Sequence, residues 1–477
     1  MSPAITAVGA YAPRFRISAE AFREAWGQFQ ASGISEKAVP AADEDALTMA
    51  YEAGRRALEA ADLEGEGVDW LAFASSRPPL AEEDLSARLR AMLAVPRTAT
   101  DHVFTGSTRA GTRALWAGMD ALEAARAERV LVVAADAPRG EPDDGVDHAA
   151  GAGAAAFVLE RDGPATITDR AEYGAPYPGT RFRESGRETT EGLGVTGYDR
   201  AAFTETIGGA VAGLEADPDP DAAAIQAPDG KLPYRAAGAA GVSTDAIQAS
   251  ATVHDLGDLG AASVPVTLAR ALADGHRSVL AVSHGSGAGA DALVVERSDE
   301  VSASVDLEVG DSLSYAEYLR QRGVITSGPP AGGGAYVSLP SWKRSLPQRY
   351  RLEAGRCPDC GSLAFPPEGA CPDCGSLTEY ESTPLSRTGT LEAATTISQG
   401  GAPPEFAPLQ SRAGDYAAVI VAFGAANGDG VARVPAMGTD AAPEAFGAGA
   451  PVEATIRRLY TQEGVTRYGF KVRPVSE

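Results

Sequence analysis

Apolar residues recur along this chain with two periods. Between Ala110 and Ala127, Leu115, Met119 and Leu122 fall at i, i+4 and i+7, which lines one face of a helix. The run Val130-Leu-Val-Val-Ala-Ala that follows is short and apolar, as a buried strand requires. The same order returns later, with a helix expected over Val264 to Ala273 and a strand at Ser278-Val-Leu-Ala-Val. A near-copy of one segment accompanies each pair. Gly151 to Arg161 reads GAGAAAFVLER and Gly287 to Arg297 reads GAGADALVVER, identical at eight of eleven positions. The pattern predicts a duplicated unit of helix, apolar strand, Gly-rich turn and strand, with halves over 1–165 and 166–300. Helices alternating with apolar strands give layered α/β structure.

Beyond residue 300 the pattern changes. A connector is expected over 301–340, with a short helix at Tyr315-Ala-Glu-Tyr-Leu-Arg and a linker at Gly328-Pro-Pro-Ala-Gly-Gly-Gly. Ser341 to Tyr350 reads as an amphipathic helix leading into a cysteine-rich stretch, the two together spanning 341–380. Short β-type runs follow at Thr390–Ile397, Tyr416–Phe423, Gly430–Val434, Val452–Tyr460 and Tyr468–Val472. Turn residues separate them, which predicts a small all-β barrel or sandwich over 381–477.

Composition narrows the function classes. A chain of 477 residues suggests two to four domains. No apolar run approaches the ~18 residues that span a bilayer, and the opening MSPAITAVGAYAPRF does not read as a signal peptide. The expected compartment is the cytoplasm, with no membrane partner. A net charge of −24 argues against a nucleic-acid partner, which needs a basic footprint. Lys37, Lys231, Lys343 and Lys471 are the only lysines among 41 basic residues, and acid is dispersed along the chain. That balance reads as a salt-adapted surface, against the plainer reading of an ordinary acidic protein.

All four cysteines lie in one stretch. Cys357-Pro-Asp-Cys360-Gly-Ser-Leu and Cys371-Pro-Asp-Cys374-Gly-Ser-Leu repeat the same seven letters. Each Cys-x-x-Cys aims two thiolates at one point, and two such knuckles make the tetrahedral sulfur cage that zinc prefers. Four thiolates leave no open position, so the expected zinc is structural and its binding energy is folding energy. A redox dithiol and an iron site are the rival readings. No cysteine remains elsewhere to serve as a nucleophile.

Residues 341–477 resemble a family of acyl-CoA-associated proteins with a rubredoxin-like zinc ribbon and an OB fold. The resemblance rests on Tyr350-Arg-Leu, the two knuckles, Phe365-Pro-Pro and Tyr468-Gly-Phe-Lys-Val-Arg-Pro. It implies association with thiolases or related condensing enzymes and binding or bridging of CoA substrates. Residues 1–300 resemble hydroxymethylglutaryl-CoA synthase, of the thiolase superfamily. Gly9-Ala-Tyr-Ala-Pro-Arg-Phe-Arg-Ile is similar to the family's opening strand. Thr108-Arg-Ala-Gly-Thr resembles the nucleophile segment, Gln226-Ala-Pro-Asp-Gly-Lys-Leu-Pro the histidine segment, and Gly257-Asp-Leu-Gly-Ala-Ala-Ser the asparagine turn. Ser283-His-Gly-Ser-Gly-Ala-Gly-Ala-Asp resembles the late Gly-rich motif. These similarities imply a duplicated thiolase-like fold, a CoA-thioester ligand, a thiolase-type partner enzyme and a homo- or hetero-oligomer.

The residues at those positions do not suit the condensing reaction. Thr108 stands where a soft cysteine nucleophile is implied, and a hydroxyl needs an adjacent base. Gln226 stands for the histidine and exchanges no proton near neutral pH. Asp258 stands for the asparagine, and its negative charge opposes a developing oxyanion. The family's acidic catalyst falls near Ser75-Ser76-Arg77, which holds no carboxylate, although Glu82 and Glu83 are close by in sequence. Among five histidines, His254 and His284 flank pocket motifs; each reads first as a satisfied structural or loop histidine, with a dyad to Thr108 as the alternative, and Thr108 itself reads best as a helix N-cap. Gly285, Ser286 and Gly287 read equally as an oxyanion or phosphate cradle and as a tight strand–strand turn. The expectation is a scaffold or channelling protein that binds CoA thioesters or a thiolase-type enzyme without condensing. The alternatives are an active synthase or acyltransferase with a rewired site, and an acyl-CoA sensor.

Overall fold

The computed structural model describes residues 3–215, 217–308, 310–326, 339–398, 400–462 and 464–475. The linker expected at Gly328–Gly334 lies outside them. The chain divides into two compact units, one of Met1–Ala41 with Asp45–Tyr318, the other of Ala42–Glu44 with Leu319–Glu477.

In the first unit the duplication is visible in the strand pairing of one large sheet. Its order runs from Thr100–Phe104 through Trp70–Ala74, Val130–Asp136, Gly153–Glu160 and Ala4–Tyr11. It continues through Ala165–Pro176, Ala288–Arg297 and Ser278–His284 to Ala222–Ile225. Val130–Asp136 pairs parallel with Trp70–Ala74 and antiparallel with Gly153–Glu160. Ser278–His284 repeats this, parallel with Ala222–Ile225 and antiparallel with Ala288–Arg297. The near-identical peptide segments thus occupy equivalent strands. The connections differ, because only the second copy is a tight turn. In the first copy the chain between Asp136 and Gly153 includes the short helix Gly145–Ala149.

The helices Ala110–Glu123 and Ser263–Ala273 match the expected ones and share a core with the sheet, burying Leu115, Met119 and Leu122 from one and Val264, Leu268 and Leu272 from the other. Each such side chain contributes about 1.5–3 kcal/mol on burial. At Gly111 an added Cβ would lie 2.4 Å from the Ala261 carbonyl oxygen and 2.7 Å from Pro265, so only glycine permits this approach.

In the second unit the amphipathic helix expected over Ser341–Tyr350 is two short helices, Leu339–Arg344 and Leu346–Arg351. Pro347 has no N–H to offer the Lys343 carbonyl, so the first helix cannot continue through it. Five strands then form a nearly closed barrel: Glu381–Ile397, Tyr416–Ala425, Val431–Met437, Pro451–Gln462 and Val465–Pro474. The first pairs with the second and fourth, the second with the third, and the fourth with the fifth. A parallel bridge between Gly438 and Val472 brings the third edge to the fifth. Along Tyr416–Ala425 the residues Ala417, Val419, Val421 and Phe423 alternate inward, as a half-buried strand demands.

A buried ion network completes this unit. Lys471 lies 2.8 Å from Asp43, and Arg457 lies 2.8 Å from Asp440 and 3.4 Å from Glu44. Burial pushes the Asp43 carboxyl up, but Lys471 and Arg457 outweigh it and hold the group below its usual range.

Candidate functional site

Thr108 is buried just before the helix Ala110–Glu123. It is not the N-cap. That position falls to Arg109, with no side-chain cap, and the Ser107 hydroxyl accepts the Arg109 N–H at 3.2 Å. Because the helix starts two residues further on, the Thr108 hydroxyl is free to donate to the His284 carbonyl at 2.6 Å, tying the two halves together.

Gln226 and Asp258 converge on Gly260. Gln226, 2% exposed, follows the strand Ala222–Ile225 and donates through Nε2 to the Gly260 carbonyl at 2.9 Å. Asp258, also 2% exposed, accepts the Gly260 N–H on Oδ1 at 2.9 Å and pairs through Oδ2 with Arg181 at 2.5 Å. Gly257 fixes the turn, since its φ is +79° and an added Cβ would lie 2.6 Å from the Ala149 carbonyl oxygen. Two polar atoms here have no hydrogen-bond partner among the described residues, Gln226 Oε1 and Arg181 Nη2.

One residue escaped the sequence reading. Asp136 ends the buried strand Val130–Asp136 and places a carboxylate against Ser75-Ser76-Arg77. It accepts from the hydroxyls of Ser75 and Ser76 and from the backbone N–H groups of Ser76, Arg77, Ala137 and Ala261, at 2.5–3.1 Å. Both oxygens are therefore committed to the protein. Glu82 and Glu83 are exposed, and Glu83 pairs with Arg88 instead. A lone acid at the C-terminal end of an otherwise apolar strand was the available signal, because crevices in open α/β sheets form there.

The segment that carries Arg181 is laced across these residues. Arg183 donates to the Ser76 carbonyl at 3.3 Å, and Glu188 pairs with Arg77 at 2.6 Å. Tyr177 N–H donates to the Gly287 carbonyl at 2.9 Å, and Gly287 N–H donates to the Thr180 hydroxyl at 3.1 Å. Gly285 N–H closes the turn on Gly289 at 2.8 Å. In the Gly285–Gly287 turn the Gly285 and Gly287 N–H groups are thus already used, which is the geometry of a strand–strand turn.

The two histidines are also engaged elsewhere. His284 Nδ1 meets the Thr206 hydroxyl at 2.9 Å, and burial, reinforced by Arg109 and Arg181, lowers its pKa to about 4. The ring is neutral at pH 7. His254 sits between Tyr234, 2.8 Å away, and the Gly33 carbonyl, 2.6 Å away. Neither ring bonds the Thr108 hydroxyl.

The four cysteines form the second candidate site. Their sulfurs all lie within 4.8 Å of one another, with Cys357 and Cys371 buried and Cys360 and Cys374 exposed. The two knuckles fold alike. Gly361 and Gly375, at φ 77° and 74°, donate to the carbonyls of Cys357 and Cys371 at 2.8 and 2.9 Å. Cys357 N–H and Cys371 N–H in turn donate to Ser362 and Ser376 at 2.9 and 2.8 Å. The Cys374 N–H and the Ser362 hydroxyl lower the Cys371 pKa to about 6. Cys374 is pushed up to about 12: the Ser376 N–H favours its thiolate, but the sulfurs of Cys360, Cys371 and Cys357 oppose it. Four crowded thiols cannot all ionise without a cation among them, and a tetrahedral dication fits this donor set.

The same ribbon is matched by a family model. Residues 344–380 fit the rubredoxin-like zinc ribbon domain described for ChsH2. The larger part of the chain has relatives of its own. A hydroxymethylglutaryl-CoA synthase of Methanopyrus kandleri is 31% identical over 349 residues, covering 68% of this chain and 95% of that protein. The enzyme of Pyrobaculum neutrophilum is 30% identical over 340 residues, covering 66% and 96%. This chain belongs to the hydroxymethylglutaryl-CoA synthase family. The fold agrees. A synthase solved with 3-hydroxy-3-methylglutaryl coenzyme A superposes with a TM-score of 0.57 at 18% identity, over 71% of this chain and 97% of that one. A 3-oxoacyl-[acyl-carrier-protein] synthase III from Aquifex aeolicus gives 0.55 at 18% identity, over 62% and 99%. In this member of the hydroxymethylglutaryl-CoA synthase family, Gln226 and Asp258 meet at Gly260, whereas Thr108 bonds to the opposite half.

Proposed function

We propose that this synthase-family protein binds CoA thioesters and a thiolase-type enzyme as a scaffold or channelling subunit and does not condense. The observation that carries the reading is the Asp258–Arg181 pair. A carboxylate locked to a guanidinium stands where the resemblance implies an oxyanion donor, and Thr108 has a carbonyl rather than a base as its partner. Arg181 Nη2 remains as a spare donor for a thioester carbonyl, which suits binding without turnover. Zinc held by Cys357, Cys360, Cys371 and Cys374 is structural in this reading, and the barrel is an OB fold. The protein works in the cytoplasm as a homo- or hetero-oligomer, its dispersed acid adapted to salt.

The test combines three measurements on the purified full chain. No CoA thiol should be released from acetyl-CoA plus acetoacetyl-CoA, intact mass should show no acetyl adduct, and a thiolase-type enzyme should co-purify from native extract. Thiol release with an adduct on Thr108 overturns the proposal in favour of a rewired synthase. Tight acyl-CoA binding with no partner favours a sensor instead.

A further inference from the structure

The barrel unit holds a second concentration of unspent charge, at Trp342. The Arg349 guanidinium lies 4.2 Å from that ring's centroid and the Arg467 guanidinium 5.0 Å from it. Arg467 is only 4% exposed, and its Nε has no hydrogen-bond partner among the described residues. Arg349 donates through Nε to the Ser345 hydroxyl at 2.9 Å, and among the described residues neither arginine forms an ion pair. Burial pulls the Arg349 guanidinium below its usual value, Arg467 adds to this, and only the phenols of Tyr460 and Tyr350 oppose it. Glu405 acts on the Tyr460 phenol but pairs with neither arginine among the described residues. Tyr460 is buried as well, and its hydroxyl has no hydrogen-bond partner among the described residues.

Two like charges beside one ring repel each other, and at low dielectric the repulsion grows. Among the described residues no carboxylate pairs with either arginine, although Glu405 acts on the Tyr460 phenol and Glu368 stands in the wall of the neighbouring cavity. An anionic guest removes the conflict. Beside the cluster lies a mainly apolar cavity of about 390 Å³ in the same unit, lined by Phe365, Phe423, Phe470, Met437 and Leu459 with Arg349 and Glu368 as its charged groups. Volumes of this order, apolar with a few convergent polar groups, suit small ligands.

We propose that Arg349 and Arg467 hold the oxyanion head, phosphate or carboxylate, of a small amphiphilic acid whose apolar body enters this cavity. The site is separate from the condensing-site positions, and its failure would leave the scaffold reading untouched.

Calorimetric titration of the full-length, zinc-loaded protein tests it with octanoate, octyl phosphate, inorganic phosphate and octanol as probes. At least one octyl anion should saturate below millimolar concentration. Inorganic phosphate and octanol should each bind at least tenfold more weakly, and the tighter octyl anion identifies the head group. Arg467→Gln should weaken the octyl anions tenfold or more. If that variant melts early, the half-buried Arg349→Gln serves in its place. Ala436→Leu, which adds volume to the cavity lining, should weaken the octyl anion and leave phosphate unchanged. No saturation by either octyl anion, octanol binding as tightly as octanoate, or wild-type affinity in both folded arginine variants overturns the proposal.

Discussion

The cysteine knuckles and the condensing-site positions are built from opposite uses of polar groups. In the knuckles, backbone hydrogen bonds satisfy the backbone and leave four sulfurs facing one point within 4.8 Å. At Thr108, Gln226, Asp258 and Asp136, almost every side-chain donor and acceptor already has an internal partner. A site retains ligand chemistry when its scaffold is satisfied and its ligating atoms are not. By that measure the ribbon is built to take a metal, while Thr108, Gln226, Asp258 and Asp136 act as internal ties of the first unit that leave only Gln226 Oε1 and, on Arg181, Nη2 to spare.

Removing zinc is the strongest way to break the comparison. Structural zinc in small domains supplies on the order of 10 kcal/mol of folding energy. Cys360→Ser should therefore unfold the ribbon while the first unit stays folded, as limited proteolysis would show. Metal analysis of chelator-washed wild type should find one zinc per chain, and less than half an equivalent would contradict the claim.

The seam should respond to loss of a partner as buried ion pairs do. Arg181→Ala leaves Asp258 buried and uncompensated, which is expected to cost about 3–5 kcal/mol. Denaturant melts would read this directly. The Arg181→Ala/Asp258→Asn double variant should recover part of the loss, and wild-type stability in the single variant would mean that the pair holds nothing together.

Acid should find the second unit through Asp43. Its folded pKa lies below its unfolded one, so the stabilisation is fully present above the usual aspartate value near 4 and is lost as pH falls through the lower folded value. Melting of the barrel between pH 6 and 2 should drop at the acid end, and Asp43→Asn should flatten that drop. Salt gives a broader test: with a net charge of −24, melting temperature should rise from dilute buffer to multimolar KCl.

The smallest effect belongs to Thr108→Ala. It removes one hydrogen bond to the His284 carbonyl, worth about 1 kcal/mol in urea unfolding, and should leave thioester handling unchanged. An altered thioester reaction would return Thr108 to chemistry.

What could be read from the chain depended on how local the determining contacts were. The knuckles are legible because seven consecutive residues set each one. The duplicated strands are legible because their apolar patterns and motif letters recur. Thr108, Gln226 and Asp258 were legible as departures from the resembled motifs, but the partners that hold them were not. Arg181 reaches Asp258 across 77 positions and Ser75 reaches Asp136 across 61, and no local period marks such pairs. The first barrel strand begins at Glu381 rather than Thr390 because its register shifts between Leu385 and Gly389 and again between Leu391 and Ala393, which scrambles the alternation. Pro347 split a helix whose apolar spacing looked continuous.

The Ala42–Glu44 segment also sets a schedule for synthesis. Asp43 and its partner Lys471 are 428 positions apart. At ~5–20 residues per second, a ribosome delivers the lysine roughly 20–90 s after the aspartate. Through that interval Asp43 is without its Lys471 partner. The barrel's ion network thus closes only as translation ends, and a chain truncated before Lys471 cannot complete it.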